Sequence, residues 1–154
     1  MRTKKVNRYW CDFCNRASLQ AGCTRRHESR CTLNPARVCG LCTFLELEQA
    51  DLTALIAILP DPEPLKRIEK DDMGREVWHS WQGLEEAVEA VMPKLREAAN
   101  NCPACILAAI RQRGIPAPEI QSFKFKDEMK ALMDAKNQRD YEEEVRREYS
   151  YGAY

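Results

Sequence analysis

The residues with the clearest chemistry in this sequence are its eight cysteines. Six of them form three Cys-x-x-Cys pairs, Cys11/Cys14, Cys39/Cys42 and Cys102/Cys105. Two thiolates separated by two residues on a tight turn can reach one ion, and zinc accepts four sulfur or nitrogen ligands in a tetrahedron. We therefore expect zinc in a reducing, cytoplasmic compartment, where thiols stay free. Disulfides and an iron–sulfur cluster are the alternatives.

Spacing predicts the first set of ligands. Cys11, Cys14, His27 and Cys31 follow the pattern Cys-x2-Cys-x12-His-x3-Cys, the spacing of a zinc finger whose last ligand is cysteine. A turn would present the first two sulfur atoms. A short helix would present His27 and Cys31 from adjacent turns of one face, because residues four apart superpose on a helix.

Residues 7–33 resemble the classical zinc-finger family in its Cys-Cys-His-Cys variant, and Tyr9 stands where such fingers usually place an aromatic residue. The resemblance implies a ββα-like unit. Its two core positions would fall on Ser18 and Thr24, and the neighbouring Leu19 and Cys23 are candidates to replace these small side chains.

Cys23 is the one cysteine outside the three pairs and the finger pattern. It precedes His27 by four residues, so on a helix it would share the face of that ligand and compete for the ion. A small buried core residue is the interpretation we favour. A reactive thiol is the third interpretation.

The second metal site follows by elimination, since Cys39 and Cys42 need two more ligands and only Cys102 and Cys105 are left. Each pair precedes an apolar segment of helical character, so the ion would hold the starts of two helices together. Two such turns closing on one ion resemble zinc-ribbon or treble-clef architecture. His79 is the other candidate ligand. Two Zn²⁺ ions, each with four protein ligands, favour structural over catalytic zinc.

The charge of the chain is unevenly distributed. Residues 1–42 carry nine basic and two acidic side chains, for a net charge of +7, and the other 112 residues carry a net charge of −7. A basic finger favours nucleic acid as its partner. The predicted contacts are Lys4, Lys5, Arg8, Gln20, Arg25, Arg26 and Arg30.

The family resemblance also implies which side chains would read bases. By the family's register these positions fall on Gln20, Gly22, Cys23 and Arg26, of which Gln20 and Arg26 can make ordinary polar base contacts. We therefore expect weak, salt-sensitive binding driven mostly by phosphates.

Apolar periodicity and proline positions predict four helices after the finger. These are Thr43–Leu59, a helix from Trp81 to about Ala99 that Pro93 interrupts, a helix capped by Asn101 or Cys102 that stops at Gly114, and Phe125 to Tyr149. The fold class is therefore mostly α, a small zinc-stapled domain with an N-terminal ββα-like finger and three or four helices. Its expected parts are residues 1–36, 37–118 and 119–154.

The polar stretch over residues 60–80 is expected to contain a turn or short hairpin at Lys70–Gly74. Trp78 and Trp81 flank His79 just beyond it. The two indoles suit base stacking or ligand binding, but packing in the core is the expected role.

Length and composition exclude several classes of protein. The chain has 154 residues with 44% hydrophobic side chains, enough for one domain with a folded core. No run approaches the roughly 18 apolar residues of a membrane span, and the basic N-terminus lacks the apolar segment of a secretory signal. We expect neither a membrane protein nor a secreted one.

Two functions remain from the sequence. The first is a non-enzymatic zinc protein that binds nucleic acid through its finger. The second is a protein-interaction adaptor or inhibitor acting through the acidic body and residues 119–154. The run from His27 to Cys39 also resembles small uncharacterised phage proteins, a likeness that names no activity but fits a protein that binds host machinery.

Overall fold

Helices make up most of the regular structure in the computed structural model, which describes residues 5–151. In chain order the elements are β1 (Tyr9–Trp10), β2 (Ala17–Ser18), α1 (Ala21–Glu28), α2 (Gly40–Phe44), α3 (Leu52–Ile58), β3 (Lys66–Lys70), β4 (Glu76–Trp81), α4 (Leu84–Ala98), α5 (Pro103–Gln112) and α6 (Phe125–Tyr151). Short 3₁₀ turns lie at Glu63–Leu65 and Ala117–Glu119. The prediction of a mostly α fold is confirmed.

The finger consists of β1, β2 and α1. The two strands pair antiparallel, with Tyr9 opposite Ser18 and Trp10 opposite Ala17, and α1 lies against both strands. The ββα arrangement expected from the sequence is therefore present. Each strand has only two residues, so backbone pairing alone contributes little to the stability of this unit.

The apolar core lies in residues 37–118, which we call the body. There α3 packs against both α4 and α5. The stripe on α4 has the three- and four-residue spacing of one helical face, and it buries Leu84, Val88, Met92 and Leu95. The largest side chains that are completely buried in the body are Leu55, Leu84, Val88, Leu95, Ile106 and Ile110.

The predicted helix over Thr43–Leu59 is in fact two helices. α2 ends at Phe44, and Glu46 then adopts a left-handed conformation with φ of 56°. α3 starts afresh because the Asp51 carboxylate accepts a hydrogen bond from the Thr53 N–H at 2.9 Å, which caps its first turn. Residues 47–50 form the connection. The apolar spacing in the sequence gave no indication of this break between the two helices.

The start of α4 also differs from the prediction. Trp81 is the last residue of β4, and Gly83, with φ of 75°, turns the chain into a helix that begins at Leu84. α4 continues through Pro93 to Ala98. The end of α5 agrees with the sequence, because Gly114 adopts φ of 81° and lets the Ile115 N–H reach the Ile110 carbonyl at 3.1 Å.

The predicted hairpin is present as β3 and β4, with Ile68 opposite His79. Asp71 organises its turn, since the carboxylate accepts hydrogen bonds from the Met73 and Arg75 N–H groups and pairs with the Arg75 side chain at 2.7 Å. The backbone hydrogen bond from Arg75, followed by its side chain, lowers the pKa of Asp71.

The expected core role of the tryptophan pair is wrong for Trp78. Its indole is 63% exposed, whereas that of Trp81 is half-buried. Within the described residues the hairpin is a two-stranded sheet, and Val77 next to Trp78 is also exposed, at 65%.

The described residues from Phe123 onward form a second compact unit, separate from the unit that ends at Ser122. α6 is the main element of that second unit. Its exposed surface carries ion pairs spaced four residues apart, Lys136 with Asp140 at 2.7 Å and Arg147 with Glu143 at 3.6 Å. None of the described helices is both long and apolar enough to cross a membrane.

Candidate metal centres

The finger ligands come from the turn between β1 and β2, from the last turn of α1 and from the segment that follows it. The Cys11 N–H donates to the Arg16 carbonyl at 2.9 Å and closes the turn that carries both sulfurs of the first pair. The Phe13 N–H points at the Cys11 sulfur at 3.4 Å. Such N–H groups stabilise a thiolate, which is the form of cysteine that binds metal.

The structure brings together the four finger ligands predicted from spacing. The Cys11, Cys14 and Cys31 sulfurs and a His27 ring nitrogen all lie within 4.8 Å of one another. The Cys14 sulfur lies 3.1 Å from His27 Nε2. Cys11 and Cys31 are buried, whereas Cys14 and His27 are half-buried.

The way in which Cys31 reaches the site differs from the prediction. α1 ends at Glu28, so Cys31 is not on the helix. Two tight turns follow instead, in which the Arg30 N–H donates to the His27 carbonyl and the Cys31 N–H donates to the Glu28 carbonyl. The tighter winding after α1 brings the last sulfur back toward His27.

The electrostatics of the finger favour one thiolate above the others. Burial raises the pKa of the Cys14 thiol, but a backbone hydrogen bond from Arg16 and contacts with His27, Cys11 and Cys31 outweigh it and bring the pKa to about 7. Burial raises the pKa of Cys31. At neutral pH Cys14 therefore loses its proton to a metal ion more readily than Cys31 does.

The core of the finger is Thr24 and not the larger neighbours that were predicted to replace it. Thr24 is buried, and its hydroxyl donates to the Tyr9 carbonyl at 3.1 Å, which ties α1 to β1. Leu19 is 61% exposed. A single hydrogen-bonded threonine cannot replace an apolar core, so the finger depends on its metal ligands for stability.

Cys23 lies outside both ligand clusters. Its half-buried thiol donates to Gln20 Oε1 at 3.2 Å, and the Arg26 guanidinium lies 3.5 Å from its sulfur. The interpretations of Cys23 as a zinc ligand and as a buried core residue are therefore both wrong.

The second cluster joins two segments with the same local geometry. Cys39 and Cys102 are the N-cap residues of α2 and α5, both with φ of −78°, and Cys42 and Cys105 lie in the first turns of those helices. An ion bound here would hold the starts of two helices together, as the sequence predicts.

The spacing of the sulfurs suits a tetrahedral ion. The sulfurs of Cys39 and Cys102 lie 3.7 Å apart, and those of Cys42 and Cys105 lie 3.6 Å apart. Zinc–sulfur bonds of about 2.3 Å in a tetrahedron place sulfurs about 3.8 Å apart. All four cysteines are at most 2% exposed. Each of the two clusters can therefore hold one zinc ion, which agrees with the prediction of two Zn²⁺.

The four sulfurs lie close together, and this shifts pKa values within the cluster in opposite directions. Hydrogen bonds with Cys102 and Cys105 lower the pKa of Cys39, whereas burial raises the pKa of Cys42 to about 12. Hydrogen bonding to Cys102 raises the pKa of Cys105. Without a cation the cluster therefore keeps protons on some of its sulfurs, and zinc has to displace them.

Two side chains that the sequence analysis missed support the second cluster. The Gln49 side chain accepts from the Cys39 N–H and donates to the Arg37 carbonyl at 2.9 Å, so it braces the turn that begins α2. Arg37 is buried and donates to the carbonyl of Ala104, which lies between the two cysteines of the other turn. Because four thiolates and one Zn²⁺ carry a net negative charge, a buried guanidinium beside them is electrostatically favourable.

The segment between the two clusters is tied to α5. The Gln112 side chain donates to the carbonyls of Thr32 and Asn34 at 2.8 and 3.0 Å, and Arg111 donates to the Thr32 hydroxyl. Asn34 is buried and donates to the Glu28 carbonyl at 2.7 Å. The sequence holds no signal for these contacts, because each partner reads as an ordinary polar residue.

The predicted nucleic-acid residues lie on the outside of the finger. Lys5, Arg8, Gln20, Arg25, Arg26 and Arg30 are exposed, and Lys4 lies outside the described residues. Gln20 is the N-cap residue of α1. Arg30 follows α1 and does not belong to it, and its guanidinium lies over Gly40, the first residue of α2.

No family model, curated protein or solved structure matches this chain. The likenesses to the classical zinc-finger family and to phage proteins therefore stay predictions.

Proposed function

We propose that this chain is a non-enzymatic zinc protein that binds nucleic acid through the exposed cations of its finger. The observation that supports it best is the contrast between these cations and Arg37. Arg37 is buried and hydrogen-bonded beside the second cluster, whereas the other described cations of residues 5–42 lie exposed around the first cluster. They are Lys5, Arg8, Arg16, Arg25, Arg26 and Arg30.

Within the described residues no exposed cation of the finger forms an ion pair. The ion pairs of the structure include those of the hairpin, of Arg113 with Asp61, and of α6. The only acidic residues between positions 5 and 42 are Asp12 and Glu28. An unneutralised cluster of cations on a rigid support attracts the phosphates of nucleic acid.

The non-enzymatic part of the proposal rests on coordination number. Each cluster supplies four protein ligands, and catalytic zinc normally keeps one position for water or substrate. We therefore assign both ions to folding and none to catalysis.

The experiment is a salt series of binding affinity on the zinc-loaded chain. We expect a slope of log K against log salt of about −3 to −4.5 on duplex DNA, as three to five phosphate contacts imply. Replacing Arg25, Arg26 and Arg30 together by Gln should flatten the slope by up to about 2.7 and leave two zinc ions bound. The absence of binding to duplex DNA and to single-stranded nucleic acid, even at low salt, would refute the proposal.

A matched control distinguishes binding at the finger from a general effect of removing positive charge. Replacing Lys66, Arg67 and Lys70 of β3 by Gln removes the same charge from the same unit but outside the finger. Affinity and slope should then change little. An equal loss in both triple variants would mean that the finger is not the binding surface.

A protein-interaction adaptor is the second candidate, favoured by one feature of α6. Tyr141 and Tyr149 of this helix are 63% and 80% exposed, and large exposed aromatics are typical of protein interfaces. Removing residues 140–154 should then abolish binding of a protein partner while both zinc ions and nucleic-acid affinity stay unchanged. If a partner were still bound after this deletion, residues 140–154 would not be its site.

A further inference from the structure

Three exposed aromatic side chains lie in a single five-residue stretch of the finger. Tyr9, Trp10 and Phe13 are 39%, 56% and 39% exposed. They neither bind metal nor belong to the buried core, in which Thr24 is the buried residue of the helix α1. Large rings left uncovered on a rigid unit indicate a surface that binds something flat and apolar.

The local geometry explains why the rings stay uncovered. Across the two-stranded ladder Tyr9 lies opposite Ser18, and Trp10 lies opposite Ala17. These small neighbours cover little of the aromatic rings. Phe13 lies in the turn between Cys11 and Cys14, which the first metal cluster closes. The backbone beneath the rings is therefore held in place before any ligand arrives, which lowers the entropic cost of binding.

Cations flank the aromatics on both sides along the same stretch. Lys5, Arg8 and Arg16 are exposed, and Asp12 is the only acidic residue between positions 5 and 16. The hydrogen bond from the Cys11 N–H to the Arg16 carbonyl places Arg16 beside the start of the turn. Proteins that bind single-stranded nucleic acid combine rings that stack on bases with cations that follow the phosphates.

The helix of the finger is poorly equipped to read a duplex. Of the four predicted base-reading positions, Gly22 has no side chain, and Cys23 is occupied by contacts with Gln20 and Arg26. Reading of base edges in the major groove needs free polar side chains on such a helix. The exposed groups of the finger instead favour unpaired bases, whose faces are open to stacking.

We propose that the finger binds unpaired nucleotides of single-stranded nucleic acid, with Trp10 and Phe13 as stacking platforms and Lys5, Arg8 and Arg16 contacting the phosphates. This inference rests on the proposed function and narrows its ligand from nucleic acid in general to strands with accessible bases. Stacking is tolerant of sequence, since every base has a π-face.

The test measures affinity of the full, zinc-loaded chain by fluorescence anisotropy. The probes are a labelled single-stranded DNA, a single-stranded RNA of the same sequence, and the duplex of each, at one salt concentration. We expect at least one single strand to bind more tightly than either duplex. Trp10→Ala and Phe13→Ala should each weaken that binding by between about 5-fold and about 150-fold, the range that base–aromatic stacking implies.

Trp78→Ala is the matched control, because Trp78 is similarly exposed, at 63%, but lies on the hairpin. It should leave affinity unchanged, and Trp10→Phe should restore most of the affinity lost in Trp10→Ala. Zinc content verifies that each variant keeps its finger folded. The ratio of the RNA to the DNA affinity identifies which strand is preferred, and either preference supports the inference.

Other outcomes separate this inference from the proposed function. Equal, salt-sensitive binding of duplex and single strands with no effect of Trp10→Ala would overturn the stacking inference and leave the proposed function standing. A preference for single strands that neither aromatic substitution reduces would overturn the assignment of the platforms. If no probe bound at low salt, both would be wrong.

Discussion

The two metal clusters are both built on Cys-x-x-Cys turns, but the surrounding structure supports them in different ways. In the finger, Cys14 and His27 are half-buried, and the buried residue of α1 is Thr24. In the body, all four sulfurs are at most 2% exposed and lie beside a packed core that includes Ile106 and Ile110 of α5. The finger therefore depends on its ion for stability because it lacks an apolar core. In the body the ion adds to the stability that a packed apolar core already supplies.

The two clusters also differ in the length of chain that they close. The finger ligands all lie between Cys11 and Cys31, whereas the sulfurs that approach each other in the body are 63 residues apart. Closing a longer loop costs more conformational entropy. Loss of the body ion should therefore affect the whole larger unit, and loss of the finger ion should stay local.

The largest effect is expected when the body cluster is broken. Cys102→Ser removes one of four buried thiolates, and structural zinc contributes roughly 10–16 kcal/mol in small zinc-binding peptides, comparable with the stability of a whole domain. We expect loss of zinc and a large drop in the helical signal by far-UV circular dichroism. Cys23→Ser is the matched control and should keep two zinc ions. A Cys102→Ser variant that retained its helical signal would contradict the comparison.

A local effect is expected when the finger cluster is broken. His27→Ala should release one of the two zinc ions and abolish nucleic-acid binding, while the thermal transition of the body shifts by less than about 4 °C, or about 1 kcal/mol. Metal analysis and thermal denaturation check this. His79→Ala is the control, since His79 is exposed and lies outside both clusters. Unfolding of the entire chain by His27→Ala would show that the finger and body do not differ as proposed.

A smaller difference is expected for leucines in the two regions. Leu95 is completely buried in α4, whereas Leu19 of the finger is 61% exposed. Leu95→Ala should lower the free energy of unfolding in urea by about 2–5 kcal/mol through lost burial and a cavity, and Leu19→Ala should change it by less than about 0.5 kcal/mol. Similar losses at both positions would mean that the finger has an apolar core after all.

The smallest effect concerns pH. Zinc binds thiolates, so its affinity rises with pH wherever binding displaces protons. Cys14 has a pKa of about 7 in the metal-free finger and has lost its proton above that pH, whereas Cys31, whose pKa is raised, still holds one. In the body two thiols still hold protons, Cys42, with a pKa raised to about 12, and Cys105, whose pKa is also raised.

Between about pH 7 and 9 the zinc affinity of the body cluster should therefore rise more steeply than that of the finger cluster. Zinc displaces about one more proton in the body, which corresponds to ~1.4 kcal/mol of binding free energy per pH unit. Competition of cobalt with a chelator measures this, because the two ligand sets give different cobalt spectra. Parallel slopes for the two clusters would be the contrary result.

Several features were predictable from the sequence because their causes lie within a few residues. The spacing of Cys11, Cys14, His27 and Cys31 identified one cluster, and the turn at Asp71–Gly74 identified the hairpin. α5 was predicted almost to the residue, since Pro103 suits a first helical turn and Gly114 suits a helix end. The pairing of the remaining cysteines needed only elimination.

Other features were decided by partners that are distant in sequence. Apolar spacing predicted one helix over Thr43–Leu59, although Gln49 has to leave helical geometry to reach Cys39 and Arg37. The same reasoning placed Trp78 in the core, although it lies on a two-stranded hairpin and is 63% exposed. A periodic pattern shows which side chains share a face, but it does not show whether another element covers that face.

What the sequence by itself determined is therefore local: the ligand types, their spacing, the ends of α5 and the uneven charge. Only the tertiary structure decided which arginines stay exposed to solvent and which are buried. Arg37 and Arg30 look alike in the sequence, yet one is buried against the Ala104 carbonyl and the other lies exposed over Gly40. The physical reason is that burial and hydrogen bonding depend on segments brought together by folding, and here the joining of Cys39 and Cys42 to Cys102 and Cys105 brings them together.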